Sequence, residues 1–263
     1  MTNEPHFSYS QLSMFLRCPK QWEYKYVQHI VTPTNLNLLR GSAYHDAVAL
    51  GYKHMIQYRE KPDIKQLIQR YSDTWDNGLK NKSYTEEDGT KVYVPGIVIG
   101  DKDPGKFKDA GIELLKLYVA TIMPNILPDE VEVRKTLVFN GIFLVMYADV
   151  ITFDGGVVID HKTASRAKGE REVANDLQPS FYGLVINKGP IEFHFHEAID
   201  VTKPYIKIAE TKRNQDDYDW LGRLIMEVWK QIQAGIFPAN PTSWVCSPEY
   251  CFNWSYCRCP KSF

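Results

Sequence analysis

The sequence has no apolar run of about 18 residues, the length a helix needs to span a bilayer. Its opening stretch, MTNEPHFSYS, carries neither a basic patch nor an apolar segment, so no secretory leader is expected there. A cytoplasmic location is therefore expected, or the host-cell cytoplasm for a viral chain. An excess of one charge is missing too: 31 Lys and Arg stand against 32 Asp and Glu, for a formal net charge of -1. That excludes a uniformly basic surface, so any contact with a polyanion must come from a local groove or from metal ions. No internal repeat or low-complexity tract is found, and no G-x-x-x-x-G-K-[ST] stretch, so ATP is not expected. Cysteine is scarce until the tail. Cys18 stands alone, and then Cys246, Cys251, Cys257 and Cys259 crowd the end. In a reducing compartment such a cluster holds a metal or an iron–sulfur group more often than disulfides.

The 263 residues, 44% hydrophobic and 13% aromatic, suffice for one sizeable core. Apolar spacing predicts helices over 8–27, 42–58, 64–80, 106–123, 173–186 and 217–234. Ser8 or Ser10 can cap the first, with Gln11 three residues after Ser8 as in a capping box. Residues 81–105 are rich in turn formers and read as a loop. Runs rich in β-branched and aromatic residues predict strands over 131–139, 142–153, 156–163, 191–199 and 204–211. Asn140-Gly141 and Asp154-Gly155, between the first three strands, are hairpin-turn dipeptides. The order implies an α/β fold with a central mixed sheet flanked by helices. One domain over 1–263 is expected, with a helical lobe at 42–128, a core at 129–237 and a cysteine-rich tail at 238–263.

The informative segment is YADVITFDGGVVIDHKTAS, residues 147–165. If Asp154-Gly155 forms a two-residue loop, counting outward sets Asp149 opposite Asp160, with Cβ atoms roughly 4.5–5.5 Å apart. A loop at Gly155-Gly156 would instead set Asp149 opposite Lys162. Facing carboxylates repel, and a divalent cation, which prefers oxygen ligands, removes that penalty. Lys162 lies two residues beyond Asp160 and so on the same face. Two acids and an ammonium suit phosphodiester hydrolysis: a cation polarises the phosphoryl oxygen and acidifies water, and the lysine stabilises developing charge. The competing reading is an ordinary charged surface hairpin, against which the buried-strand run Val157-Val158-Ile159 argues.

The D…DxK arrangement resembles the PD-(D/E)XK nuclease superfamily, with Asp in the middle slot. FSYSQLSMFLRCPKQWEYKY at 7–26 is similar to the opening of the RecB-type nuclease domain, including its Cys-Pro pair. GSAYH at 41–45 resembles that branch's motif ending in histidine, and DLQPSFYGLVI at 176–186 its Q-x-x-x-Y motif, through Gln178 and Tyr182. The terminal cysteines resemble the iron–sulfur staple of several members, among them CRISPR adaptation nucleases and AddB-type nucleases. The resemblance spans nearly the whole chain. It implies a DNA exonuclease using Mg²⁺ or Mn²⁺ on DNA with free ends, with recombination or repair proteins as possible partners. The alternative is a catalytically weak DNA-binding subunit of a recombination, repair or CRISPR-adaptation complex.

The resemblance also implies roles: Asp149, Asp160 and His45 as metal ligands, Lys162 as the catalytic lysine, and Gln178 and Tyr182 lining the site. It implies a four-iron cluster on Cys18, Cys246, Cys251 and Cys257, with Cys259 as a substitute and zinc as the alternative metal. Tyr147 departs from the pattern, because many relatives carry Gly two residues before the first aspartate. Each role has a plainer rival. His45 can be a helix-face histidine, and Gln178 and Tyr182, at i and i+4, can simply pack. Glu132, in the strand before the hairpin, is a candidate for another acid near the metal, with a solvated strand charge as the plainer reading.

Overall fold

The computed structural model describes residues 6–80, 82–85, 91–94, 97–99, 102–153 and 156–258. The chain runs β1 (Phe7–Ser8), α1 (Tyr9–Arg17), α2 (Pro19–Tyr26), β2 (Thr34–Asn35), α3 (Leu36–Tyr58), α4 (Ile64–Leu79), β3 (Lys82–Thr85), β4 (Lys91–Val94), β5 (Ile97–Val98) and α5 (Pro104–Thr121). It continues with β6 (Pro128–Phe139), β7 (Ile142–Thr152), β8 (Val157–Ala164), α6 (Glu170–Ala174), α7 (Leu177–Ile186), β9 (Ile191–Ile199), β10 (Tyr205–Arg213), α8 (Gln215–Gln233) and α9 (Trp254–Cys257).

The helix expected over 8–27 is two helices. Ser8 caps α1, accepting from the Gln11 backbone at 3.4 Å, and Cys18 then turns extended ahead of Pro19. Proline has no N–H to continue the first helix but suits the first turn of the next. The helix expected at 173–186 is likewise split into α6 and α7, because Asp176 takes up the Gln178 backbone N–H as a new cap. The expected 81–105 loop contains the short strands β3, β4 and β5.

The main sheet is mixed, ordered β1-β7-β8-β9-β10, with β6 on the other edge of β7. Asn140 and Gly141, both at positive φ, join β6 to β7 in the expected tight turn, with Phe139 opposite Ile142. Asp154-Gly155 lies outside the described residues. The pairing of Val150 with Ile159 and of Ile151 with Val158 nevertheless has the register such a loop gives. β8 runs parallel to β9, and β9 antiparallel to β10.

Two hydrophobic clusters cover the two faces of the sheet. One holds Phe7, Leu12, Trp22, Met146, Phe181, Phe193 and Leu221, and so joins α1, α2, α7 and α8 to the strands. The other holds Tyr44, Tyr52, Tyr71, Trp75, Tyr118, Val150 and Ile159, and docks α3, α4 and α5. Strand alternation accounts for the division: Val158 enters the first cluster and its neighbour Ile159 the second.

One edge of β7 is shared. β1 pairs there at Leu144 and Val145, and β8 at Val150 and Ile151. The stretch 146–149 between them has no ladder partner on that edge among the described residues. A cleft opens at this gap.

Candidate active site

The cleft encloses about 860 Å³ and is lined by residues of β1, α1, α2, α3, β7, β8, α7 and α8. Among them are His45, Tyr147, Asp149, Asp160, Lys162, Gln178 and Tyr182. Six residues expected from the sequence thus converge on one cavity, together with Tyr147, the noted departure.

Asp149 sits at the gap in the ladder. Its Oδ2 accepts the His161 backbone N–H at 2.7 Å, a bond that a strand carbonyl would otherwise supply. The same oxygen lies 3.2 Å from His45 Nδ1 and 3.3 Å from His161 Nδ1. Burial alone would raise the Asp149 pKa, but His45 and His161 beside it hold the carboxyl well below its usual range. Burial opposes the charge on His45, and Asp149 and then Asp160 outweigh it and lift that imidazole's pKa.

Asp160 and Lys162 share the cleft face of β8, and His161 between them points into the opposite cluster. Asp160 is 4% exposed. Its Oδ1 accepts from Gln178 Nε2 at 2.6 Å, and its Oδ2 pairs with Lys162 Nζ at 2.7 Å. Burial disfavours the Lys162 ammonium, but Asp160 and then Asp149 overcome this and raise its pKa. Gln178 is aimed by its helix, since the capping Asp176 also receives Tyr9 Oη at 3.1 Å and Lys168 Nζ at 2.6 Å. Tyr182 donates to the Tyr147 carbonyl at 2.6 Å. Its hydroxyl therefore fixes the backbone of the unpaired β7 stretch.

Of the two readings of Glu132, the geometry favours an acid beside the cluster over a purely solvated strand charge. The residue is exposed, yet one of its carboxylate oxygens lies within 4.8 Å of ligand atoms of both His45 and Asp149. Burial of the carboxyl and then the Asp149 charge raise its pKa. A signal for it exists in the sequence. Counting outward from the Asn140-Gly141 turn sets Glu132 opposite Asp149. The flanking pairs Val131–Val150 and Val133–Ala148 follow that register. Glu132 itself takes a positive φ of 53°, a conformation uncommon for a residue with a side chain.

The cysteines converge elsewhere. Cys18, Cys246, Cys251 and Cys257 line one small cavity where the tail meets the α1–α2 break. Burial and then the neighbouring Cys18, Cys251 and Cys246 push the Cys257 thiol's pKa up. Gln21 Nε2 lies 3.2 Å from Cys251 Sγ, and Asn240 Nδ2 ties the tail to the Arg17 carbonyl at 3.1 Å. Among the described residues, no three of these sulfurs lie within 4.8 Å of one another. Cys259, the expected substitute, lies outside the described residues.

Two aspartates and a lysine thus meet at a split strand edge of the sheet, beside a histidine delivered from a helix. The sequence model of the PD-(D/E)XK nuclease superfamily matches residues 6–258, and the chain belongs to that superfamily, whose nucleases use divalent metals. No curated sequence matches the chain. Among solved structures, an Eubacterium rectale protein provisionally described as an exonuclease aligns with a TM-score of 0.60 at 12% identity, over 93% of this chain and 88% of that one. At that identity the likeness concerns the fold. A second, SSO0001, is 15% identical over 95% of each chain, at a TM-score of 0.37. Among the described residues no helix is long and apolar enough to cross a membrane.

Proposed function

We propose that this nuclease is a deoxyribonuclease that digests linear DNA from its ends, using Mg²⁺ or Mn²⁺. The observation that carries the reading is the convergence of Asp149, Asp160 and Lys162 on one cleft, with His45 in contact with Asp149. Carboxylate oxygens and an imidazole nitrogen are a donor set that suits these cations, and the cluster of His45, Glu132 and Asp149 has such a composition. In this reading His45, Asp149 and Asp160 hold the cation, and Glu132 adds a carboxylate. When bound, the cation supplies Lewis acidity at the phosphoryl group.

The chain's own residues supply the rest. Gln178 fixes the Asp160 carboxylate, and Lys162, held charged beside it, stabilises the negative charge that builds on the phosphate oxygens. Tyr182 and Gln178 set the cleft wall against which the DNA end lies. The domain division is proposed on the same logic: a lobe over 42–128, holding most of α3 with α4 and α5, brings His45 to the core at 129–237.

The tail is proposed to carry a four-iron cluster on Cys18, Cys246, Cys251 and Cys257, stapling the two chain ends. Four cysteines lining one cavity are the ligand set of a four-iron cluster, and a tetrahedral zinc on the same residues is the alternative.

The test of function is digestion of end-labelled linear and covalently closed DNA with Mg²⁺, Mn²⁺ or chelator. Linear DNA should be degraded only with metal, closed circles should persist, and Asp160→Ala and Lys162→Ala should each lose at least about a hundredfold. Full activity in Asp160→Ala protein refutes the site, and equal rates on both substrates refute end dependence. Anaerobically purified protein should be brown, and Cys18→Ser should bleach it. A colourless protein with one zinc would replace the cluster by zinc.

A further inference from the structure

Beneath the cleft a buried polar cluster links the helical lobe to the site. Tyr118 of α5 is fully buried, and its hydroxyl meets three partners: Tyr52 Oη of α3 at 2.8 Å, His161 Nε2 of β8 at 2.9 Å and His196 Nδ1 of β9 at 2.7 Å. A phenol has one proton to donate and lone pairs to accept with, so one hydroxyl can serve all three partners.

His161 Nδ1 faces the Asp149 carboxylate, an acceptor, and must carry a proton. Nε2 of the same ring lies against the Tyr118 hydroxyl, so the ring is gripped at both nitrogens, and Tyr52 and His196 hold that hydroxyl from its other sides. Burial, and then the neighbouring His161 and His194, push the His196 pKa down to about 2. The contacts run without a break from Tyr52 through Tyr118 and His161 to Asp149 Oδ2.

We infer that Tyr118 is a positioning residue for the metal-binding carboxylate. Its hydroxyl fixes the tilt of the His161 ring, and His161 in turn, through that ring and its backbone N–H, holds the Asp149 carboxylate in place. The inference rests on the proposed nuclease reading, in which Asp149 is a ligand. It gives the helical lobe a second task besides delivering His45: the seating of α3 and α5 on the sheet is transmitted through one hydroxyl to the carboxylate. Partners beyond the first ligand shell commonly alter metal affinity about 10- to 100-fold.

The test measures Mn²⁺ binding to chelator-stripped protein without DNA, by calorimetry or electron paramagnetic resonance, and cleavage as a function of Mn²⁺. Tyr118→Phe removes one oxygen and keeps the ring. It should weaken Mn²⁺ binding about tenfold or more and raise the half-activating Mn²⁺ concentration by the same factor, leaving KM for DNA at saturating Mn²⁺ unchanged. Tyr52→Phe, one link farther out, should shift both in the same direction by less.

A folded Tyr118→Phe protein with wild-type Mn²⁺ affinity overturns the inference, even if its melting temperature has dropped, because that is the signature of a purely structural hydroxyl. Should Tyr118→Phe not fold, Tyr52→Phe decides, and an unshifted Mn²⁺ affinity there overturns it equally. Wild-type protein that neither binds Mn²⁺ nor cleaves DNA instead overturns the nuclease reading itself, and the inference with it.

Discussion

Replacing Gln178 by Met tests the buried half of the site. Gln178 is 4% exposed, and its amide donates to a carboxylate oxygen of Asp160, itself buried, at 2.6 Å. Met has nearly the same length and fills the space, so the perturbation is the loss of one donor rather than a cavity. A hydrogen bond to a charged group contributes about 1.5–3 kcal/mol, and removing the donor leaves the acceptor desolvated. Asp160 keeps its pairing with Lys162, and that ammonium is partly open to solvent, so the lower half of the range applies, about 1.5–2 kcal/mol. For a chain of this size each kcal/mol shifts the melting temperature by about 2–4 °C, so a drop of about 3–8 °C in chelator is expected. The carboxylate is then free to rotate toward Lys162, and the cleavage rate at fixed Mn²⁺ should fall about 10- to 100-fold, the scale on which partners outside the ligand shell act. Differential scanning fluorimetry and initial rates on a labelled linear duplex measure the two quantities. A Gln178→Met protein that melts and cleaves like wild type would refute the reasoning, because the 2.6 Å contact would then have neither structural nor functional weight.

Three further outcomes are expected. Glu132→Ala should raise the Mn²⁺ needed for half-maximal cleavage about tenfold while leaving the melting temperature in chelator nearly unchanged; an unshifted Mn²⁺ curve returns Glu132 to a solvated strand charge. Gly183→Ala should cost about 1–3 kcal/mol, because the new Cβ would stand 2.3 Å from the Tyr218 ring, whose hydroxyl is pinned by the Gly189 and Arg213 carbonyls; an unshifted denaturation midpoint refutes that packing. His196 has a folded pKa of about 2 against an ordinary value near 6.5, so the unfolded chain binds the extra proton between those limits. Stability is therefore full above about pH 6.5 and is lost as pH falls through the window, by at most about 1.4 kcal/mol per unit from this group. His196→Asn should flatten that slope in urea titrations between pH 7.5 and 5, and parallel wild-type and variant curves would show that the acid sensitivity comes from elsewhere.

The candidate site was legible where its geometry is local. Asp149, Asp160 and Lys162 lie on one hairpin, whose two-residue period and turn length together fix which side chains share a face. Gln178 and Tyr182, at i and i+4, both line the cleft, and Tyr182 spends its hydroxyl on the Tyr147 carbonyl. Glu132 was legible only as one of two readings, because it belongs to the neighbouring hairpin and meets Asp149 through the β6–β7 register. The break at Cys18 was hidden because apolar spacing runs on across it, and only the following proline marks it.

By itself, then, the sequence determined the mixed α/β class, narrowed the carboxylate hairpin to two registers and named six of the residues that line the cleft. These depend on periodicity, turn chemistry and short loops, all of which act over a few residues. The tertiary structure alone decided where β7 loses its ladder, because that depends on β1 and β8, distant in the chain, sharing one edge. It alone joined Tyr52, Tyr118, His161 and His196 into one buried cluster from four separate elements. Contacts of that kind arise from how whole faces pack, and side-chain packing between elements has no period along the chain to announce it.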